Sequence, residues 1–262
     1  MIGKEFMSDL DRKVFLSLVI PVYNEALNLQ SQHLAQIENY LGAQHFTYEV
    51  VLVDDGSIDN TVELIKNQIK EKSHFRLIEN SHGGKAITVM TGLLESVGEI
   101  AVFTDMDQAT PIHQLEKIIP RFRAGYDIVI GSRHGRAGAP LIRKISAWGF
   151  SFLRNLILGL PFLDTQCGFK GFTRNAINQI FLFLLPQWEK MNTGGGGSAV
   201  NAGFDIETLF LAKKKNLKID EVPVEWHFVG TERVQIIKDA FEAIQDMVRI
   251  RRNSIRGFYG RT

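Results

Sequence analysis

The chain has 262 residues, 45% of them hydrophobic, enough to bury one sizeable core, and a formal net charge of +1 from 30 basic and 29 acidic residues. That balance gives no overall field for nucleic acid, so any charge argument rests on local patches. The single Cys167 excludes an intramolecular disulfide, the seven His residues show no zinc-type spacing, and the charged start MIGKEFMSDLDRKV lacks the apolar run of a signal peptide, so a reducing, cytoplasmic compartment without a membrane span is expected.

Val14–Ile20 (VFLSLVI) reads as a first buried strand ended by Pro21, with Asn24 and Glu25 opening a helix through about Leu41. Tyr48–Val53 is a second strand that stops at Asp54-Asp55-Gly56-Ser57. Phe75–Glu79 is a third, after which His82-Gly83-Gly84-Lys85 turns into a helix that Gly98 stops. Ile100–Phe103 is a fourth, ending in two carboxylates at alternate positions, Asp105 and Asp107. Alone, that pair could be a turn and a helix cap. A helix over Ile112–Ala124 and a fifth strand, Tyr126–Ile130, lead to Gly131-Ser132-Arg133. Short apolar runs alternating with helices specify an α/β fold, a mostly parallel sheet covered by helices on both faces.

Beyond Arg133 the pattern changes. Arg136 precedes a helix over Leu141–Leu158 in which Arg143, Lys144 and Arg154 alternate with Trp148, Phe150 and Phe152. This composition fits an interfacial helix with basic groups toward lipid headgroups, and equally a helix packed on the sheet with snorkelling arginines. Asp164–Lys170 (DTQCGFK) is too polar for core and reads as site material, and Met191–Gly203 is a Gly-rich flexible loop, an engineered linker or a native lid. Phe204–Lys214 reads as an amphipathic helix carrying Asp205 and Glu207, and Ile219–Val224 as a strand. The last helix, Val234–Arg252, ends in RIRRN before Phe258 and Tyr259, a composition suited to an anionic surface. The expected division is one domain over residues 1–233 and a basic amphipathic appendage over 234–262.

Acids thus end the first, second and fourth strands, and Lys85 opens the helix after the third. A parallel sheet gathers these ends along one edge, where open α/β sheets bind ligands. Two carboxylates beside a lysine suit a nucleotide diphosphate with a hard divalent cation on its phosphates. There is no GxxxxGK[ST] loop and no GxGxxG after the first strand.

Seven pieces, PVYNE (Pro21–Glu25), VDDGSIDNT (Val53–Thr61), GGKAITVMTG (Gly83–Gly92), TDMDQATP (Thr104–Pro111), GSR (Gly131–Arg133), DTQCGFKGF (Asp164–Phe172) and EVPVEW (Glu221–Trp226), occur in an order and spacing that resemble the inverting nucleotide-sugar glycosyltransferases of family 2, which have the GT-A fold. Within that family the DTQCGFK segment looks most like dolichyl-phosphate β-glucosyltransferases, then dolichyl-phosphate mannosyltransferases. The resemblance implies that Pro21, Tyr23, Glu25 and one or both of Asp54 and Asp55 hold the nucleoside, with Lys85 nearby. It puts Asp105 at the ribose and metal, and Asp107 as a ligand of Mg2+ or Mn2+. Arg133 would meet the acceptor phosphate, and we expect Arg143 beside it; Asp164, Gln166 and Lys170 would surround the sugar and acceptor, and Arg233 would close over the diphosphate.

The expected activity is metal-dependent, inverting transfer of a hexose, glucose from UDP-glucose favoured, to a polyprenyl or dolichyl phosphate. The enzyme would sit peripherally on the cytoplasmic face of a membrane. A GDP-mannose-dependent relative, a soluble enzyme with a hydroxyl acceptor and Asp164 or Asp205 as base, and a non-catalytic nucleotide-sugar-binding module are the alternatives.

Overall fold

A computed structural model describes residues 13–133, 141–192, 202–227 and 236–260, and of residues 141–148, 192, 202 and 236–240 the backbone only. Arg136, Arg233 and most of the Gly-rich stretch lie outside the described residues, as does the Arg143 side chain. The strands are Leu16–Val22 (β1), Tyr48–Asp54 (β2), Phe75–Glu79 (β3), Ile100–Phe103 (β4), Ile128–Ser132 (β5), Lys170–Thr173 (β6) and Ile219–Pro223 (β7). They form one sheet in the order β3-β2-β1-β4-β6-β5-β7. The helices are Ala26–Gln30 (α1), His33–Gly42 (α2), Thr61–Ile69 (α3), Lys85–Glu95 (α4), Leu115–Arg123 (α5), Leu141–Leu158 (α6), Arg174–Asn192 (α7), Ala202–Lys214 (α8) and Ile236–Ile255 (α9).

The apolar runs are continuous because both sheet faces are covered. Leu18, Ile20, Val50, Leu52, Val102 and Val129 point to a core shared with α1, α2, α3 and α5. Their neighbours Val19, Val51, Val53, Ala101, Phe103, Ile128 and Ile130 point to a core shared with α4, α6, α7, α8 and α9.

Among the described strands β6 alone runs against its neighbours, pairing antiparallel with β4 and with β5. This reversal decides the site. It brings the start of β6, and therefore the Asp164–Phe169 loop, to the edge where β1, β2, β4 and β5 end. The sheet is mostly parallel, as expected, but β6 itself was unforeseen.

Several boundaries differ from the sequence reading for local reasons. Pro21 does not end β1, which runs to Val22 with Pro21 beside Val53. Val19 O accepts from Thr104 and Val22 O from Asp55, so by alternation the missing Pro21 N–H faces past the end of β4 and no ladder bond is lost. The expected Asn24–Leu41 helix is broken at Gln32, which is left-handed at φ 62°. Asn24, also left-handed at φ 54°, caps no helix; its Oδ1 accepts from Ile58 N at 3.0 Å. α8 is not amphipathic: Phe204, Ile206, Leu209, Phe210, Leu211 and Ala212 are all buried, because α7, α9 and the sheet enclose it. Nor is α9 an appendage, since Ala243 is buried and Met247 and Ile250 belong to the core above the sheet.

α4 lies so close to the sheet that a Cβ on Gly92 would come within 2.4 Å of Val19 Cγ1 and 2.8 Å of Val53 Cγ2. Alanine would gain about 1 kcal/mol of helix propensity, but overpacking against two branched residues in central strands costs roughly 1–3 kcal/mol. Gly92→Ala should therefore be net destabilising, read as a lower urea midpoint at unchanged slope.

Candidate active site

The loops after β1 and β2 are tied together. Asp55 N donates to Val22 O at 2.9 Å, Asn24 N to Ser57 Oγ at 2.9 Å, and Glu25 N to Thr61 Oγ1 at 2.8 Å. The two acids that end β2 have separate duties. Asp55 receives Gly83 N at 2.8 Å and Gly84 N at 3.0 Å, at the positive end of α4, and pairs with His82 Nδ1 at 2.9 Å. His82 in turn stacks on Tyr23, with ring centroids 4.6 Å apart. Asp55, one of the two candidates for the nucleoside, is thus consumed in building the loop. Asp54, only 2% exposed, accepts Gly56 N and Ser57 N on Oδ2, and its buried Oδ1 has no partner among the described residues. An unpaired buried carboxylate oxygen costs free energy, which marks Asp54 Oδ1 as an acceptor awaiting a donor. Glu25 turns toward α1, where its Oε2 accepts from Asn28.

After β4, Asp105 pairs with the Lys85 ammonium at the start of α4. Burial alone would push the Lys85 pKa down, but Asp105, with Asp205 and Asp107 behind it, outweighs burial and holds it up. Asp107 accepts from Ala109 N at 3.0 Å. Its pKa is raised, first by burial and also by Asp105, against the opposing pull of the Ala109 bond, Lys85 and His33. Asp107 is therefore the acid of this pair that is short of positive partners. Among the described residues no three His, Cys, Asp or Glu side chains form a ready-made metal cage. Asp105 and Asp107 still fit a hard cation, as two oxygen donors that leave other positions to phosphate oxygens and water. Gln108 does not join them; it is left-handed and its side chain donates to Asp105 O.

The DTQCGFK loop closes the other side. Asp164 grips Arg133 with a fork, Nε to Oδ2 at 2.6 Å and Nη2 to Oδ1 at 2.9 Å, and the guanidinium lies 5.7 Å from the Trp226 ring centroid. Arg133 Nη1 has no protein partner among the described residues. The loop is held from two directions. Glu221 accepts Leu163 N and Asp164 N, while Arg154 donates to Leu160 O, Phe162 O, Thr165 Oγ1 and Ser151 Oγ. Arg154 is buried, so it braces this loop and does not face lipid headgroups. Gln166 is half-buried, its N–H directed to Asp164. Gly168 passes so near the metal pair that a Cβ there would lie 2.1 Å from Asp105 Oδ2.

Lys170 is not at the acceptor surface. It is 1% exposed, paired with Asp205 Oδ1 at 2.6 Å, donating to Cys167 O, and 5.3 Å from the Phe103 ring centroid. To reach a phosphate it would have to leave Asp205, so its expected acceptor role is withdrawn. Asp205 was foreseen only as a possible base, yet it holds the buried Lys170 and lies within electrostatic reach of both Lys85 and Arg133. The signal was two acids, Asp205 and Glu207, in an otherwise apolar stretch. The roles of His82, Glu221 and Trp226 were missed because each depends on a partner distant in sequence, and that of Arg154 because its acceptors come from the loop that turns back on α6.

Residues 17–181 match the family described as Glycosyl transferase family 2. A dolichyl-phosphate beta-glucosyltransferase of Saccharomyces cerevisiae is 32% identical over 95% of this chain and 78% of its own length. Among solved structures, mannosyltransferase PcManGT from Pyrobaculum calidifontis in complex with GDP-Man and Mn2+ superposes with TM-score 0.58 at 18% identity, covering 97% of this chain and 68% of that one. Glucosyl-3-phosphoglycerate synthase from Mycobacterium tuberculosis, in complex with Mn2+, uridine-diphosphate and glucosyl-3-phosphoglycerate, does so with TM-score 0.58 at 16% identity, covering 95% and 86%. At such identity these structures speak to the fold alone, which is the GT-A fold that the motifs imply. With its paired acids, forked arginine and strand-end loops in the order the motifs require, this chain belongs to glycosyl transferase family 2 and is a glycosyltransferase.

Proposed function

We propose that the enzyme transfers glucose from UDP-glucose to a dolichyl or other polyprenyl phosphate, with inversion and with a divalent cation, Mg2+ or Mn2+. The observation that carries the acceptor is the 32% identity to a dolichyl-phosphate beta-glucosyltransferase over 95% of the chain. It includes the loop whose Asp164 holds Arg133 in a fork. The fork leaves the Nη1 edge of Arg133 for phosphate oxygens, in an orientation fixed by Asp164 and Trp226. Asp54 favours uracil: its Oδ2 is already saturated, so one oxygen remains for one imide N–H, whereas guanine presents two adjacent donors that call for both. Mn2+ beside a nucleotide or nucleotide sugar in the two structural neighbours supports the cation.

An acceptor phosphate carries most of its charge near neutral pH. Its oxygen forms the bond to the anomeric carbon while the nucleoside diphosphate leaves with the electron pair, so no proton need be removed. The chain's part is then positioning and charge. Lys85 faces the departing diphosphate and Arg133 the arriving phosphate. A bound divalent cation held by Asp107 and Asp105 would supply further positive charge to the diphosphate. The hydroxyl-acceptor alternative needs a free base, but Asp164 and Asp205 are each occupied by a cation.

A donor panel with a water-soluble short-chain polyprenyl phosphate tests this reading directly. UDP-glucose should give the highest kcat/KM; a higher value with GDP-mannose removes the donor assignment, and a simple sugar that outperforms every polyprenyl phosphate removes the acceptor assignment. Arg133→Ala should lower kcat/KM for the acceptor by roughly 10²-fold, while donor binding measured by calorimetry stays near wild type. If donor binding falls equally, Arg133 only braces the fold.

Asp107→Asn separates the metal role from the structural one. Because the folded-state pKa of Asp107 is raised, its contribution to stability is present at acid pH and lost as pH rises through the folded value. At neutral pH, without added metal, Asp107→Asn should therefore raise Tm, while transfer falls by roughly 10²-fold or more. Full turnover by this variant in chelator-treated buffer would remove the cation assignment.

A further inference from the structure

α9 has two apolar faces. Its inner face buries Ala243, Met247 and Ile250. At 100° per residue, Phe241, Ile244, Val248 and Ile255 fall together on a second face, about 120° round the helix from the first, spaced by three, four and seven residues. They are exposed: Phe241 61%, Val248 55% and Ile255 76%. Arg251 and Arg252, also exposed, flank this arc on either side. Among the described side chains of α9 the acids fall outside it, Glu242 and Asp246 both lying more than about 90° from it, and Asp246 is paired with Arg249. α6, packed beside α9, adds the exposed Leu156. A helix face that simply meets water carries mixed polar residues; this one, among the described residues, is apolar with cations and no acid.

We propose that this outer face of α9 docks on an anionic lipid bilayer, with Phe241, Ile244, Val248 and Ile255 at the headgroup–acyl boundary and Arg251 and Arg252 against lipid phosphates. This deepens the reading above and rests on it, since a polyprenyl phosphate presents its headgroup at such a surface. Charge chooses the occupant. A second copy docking through the same face would bring further arginines and no carboxylate, whereas anionic headgroups neutralise them. Of the other basic residues of α6 and α9, Arg154 and Arg249 point inward.

The test uses the whole protein and sedimentation with vesicles of phosphatidylcholine, with or without phosphatidylglycerol. Wild type should sediment with the anionic vesicles at low salt and be largely released at high salt. Val248→Gln/Ile255→Gln should weaken binding to anionic vesicles, and Arg251→Gln/Arg252→Gln should weaken it by roughly 10-fold or more. Both variants should keep the wild-type Tm and the wild-type kcat/KM toward the water-soluble short-chain acceptor. Wild type that stays in the supernatant at low salt, or variants that sediment as it does, overturn the proposal. So does a wild-type dimer that Val248→Gln/Ile255→Gln turns into monomer, which assigns the face to a second copy. Failure of the glycosyltransfer reading is separate, because it appears as no transfer to the soluble acceptor whatever the vesicles show.

Discussion

The buried pair between Lys170 and Asp205 ties the sheet to the helices behind it, immediately under the strand-end crevice. Lys170 begins β6, flanked by Phe103 of β4 and Ile130 of β5, and Asp205 stands in the first turn of α8. An ammonium buried in a sheet is tolerable only with a carboxylate partner, and removing one member of such a pair costs about 3–5 kcal/mol. α8 is therefore fixed at one point by the sheet. Glu207, two residues on, fixes it at a second: its buried carboxylate accepts from Trp188 of α7, Arg249 of α9 and Tyr259 near the C-terminus. Burial and the nearby Glu207 raise the Tyr259 pKa, so the phenol keeps its proton and remains a donor to that carboxylate. The position of Asp205 under the crevice thus depends on contacts reaching as far as Tyr259.

Around the crevice, basic side chains and carboxylates come in matched pairs: His82 with Asp55, Lys85 with Asp105, Arg133 with Asp164, Lys170 with Asp205. Two acids stand outside this pairing among the described residues. Asp54 Oδ1 is buried and unpaired there, and burial raises the Asp107 pKa. In a low-dielectric pocket such leftovers are costly, and they persist where a ligand supplies what is missing. One lies beside the loop after β1, where a base would stack near Tyr23 and His82; the other lies beyond Lys85, where phosphates would sit.

The strands were legible because a strand buried on both faces must be apolar at every position, and the acids were legible because they break those runs abruptly. What could not be read has one cause in common. β6 is four residues with a lysine and a glycine in it, KGFT, and it becomes a strand only because β4 and β5 leave it a slot and Asp205 neutralises its lysine. Arg154 and Arg249 looked like surface charge, since their acceptors, the 160–165 carbonyl and hydroxyl groups and Glu207, are supplied by chain reversal or by another helix. α8 looked amphipathic because of its two acids, when Asp205 is paired with the buried Lys170 and Glu207 is a buried acceptor for three other elements. The apparent excess of basic residues near α6 and α9 therefore divides into inward braces and an outward remainder, a division that only tertiary contacts make.

The pairing of acids with cations also bears on the chemistry. A hydroxyl acceptor needs a carboxylate ready to take a proton, and a carboxylate held by a guanidinium or a buried ammonium is stabilised as the anion and must give up that contact first. A phosphate acceptor makes the opposite demand: it arrives ionised and must not meet uncompensated negative charge. Asp164 and Asp205 stand close to where it would approach, but Arg133 and Lys170 cancel them, and the open edge of Arg133 still offers hydrogen bonds. A site with its acids neutralised in pairs and a forked arginine kept available is suited to joining two phosphate-bearing substrates, each of which would be repelled if the same carboxylates stood bare.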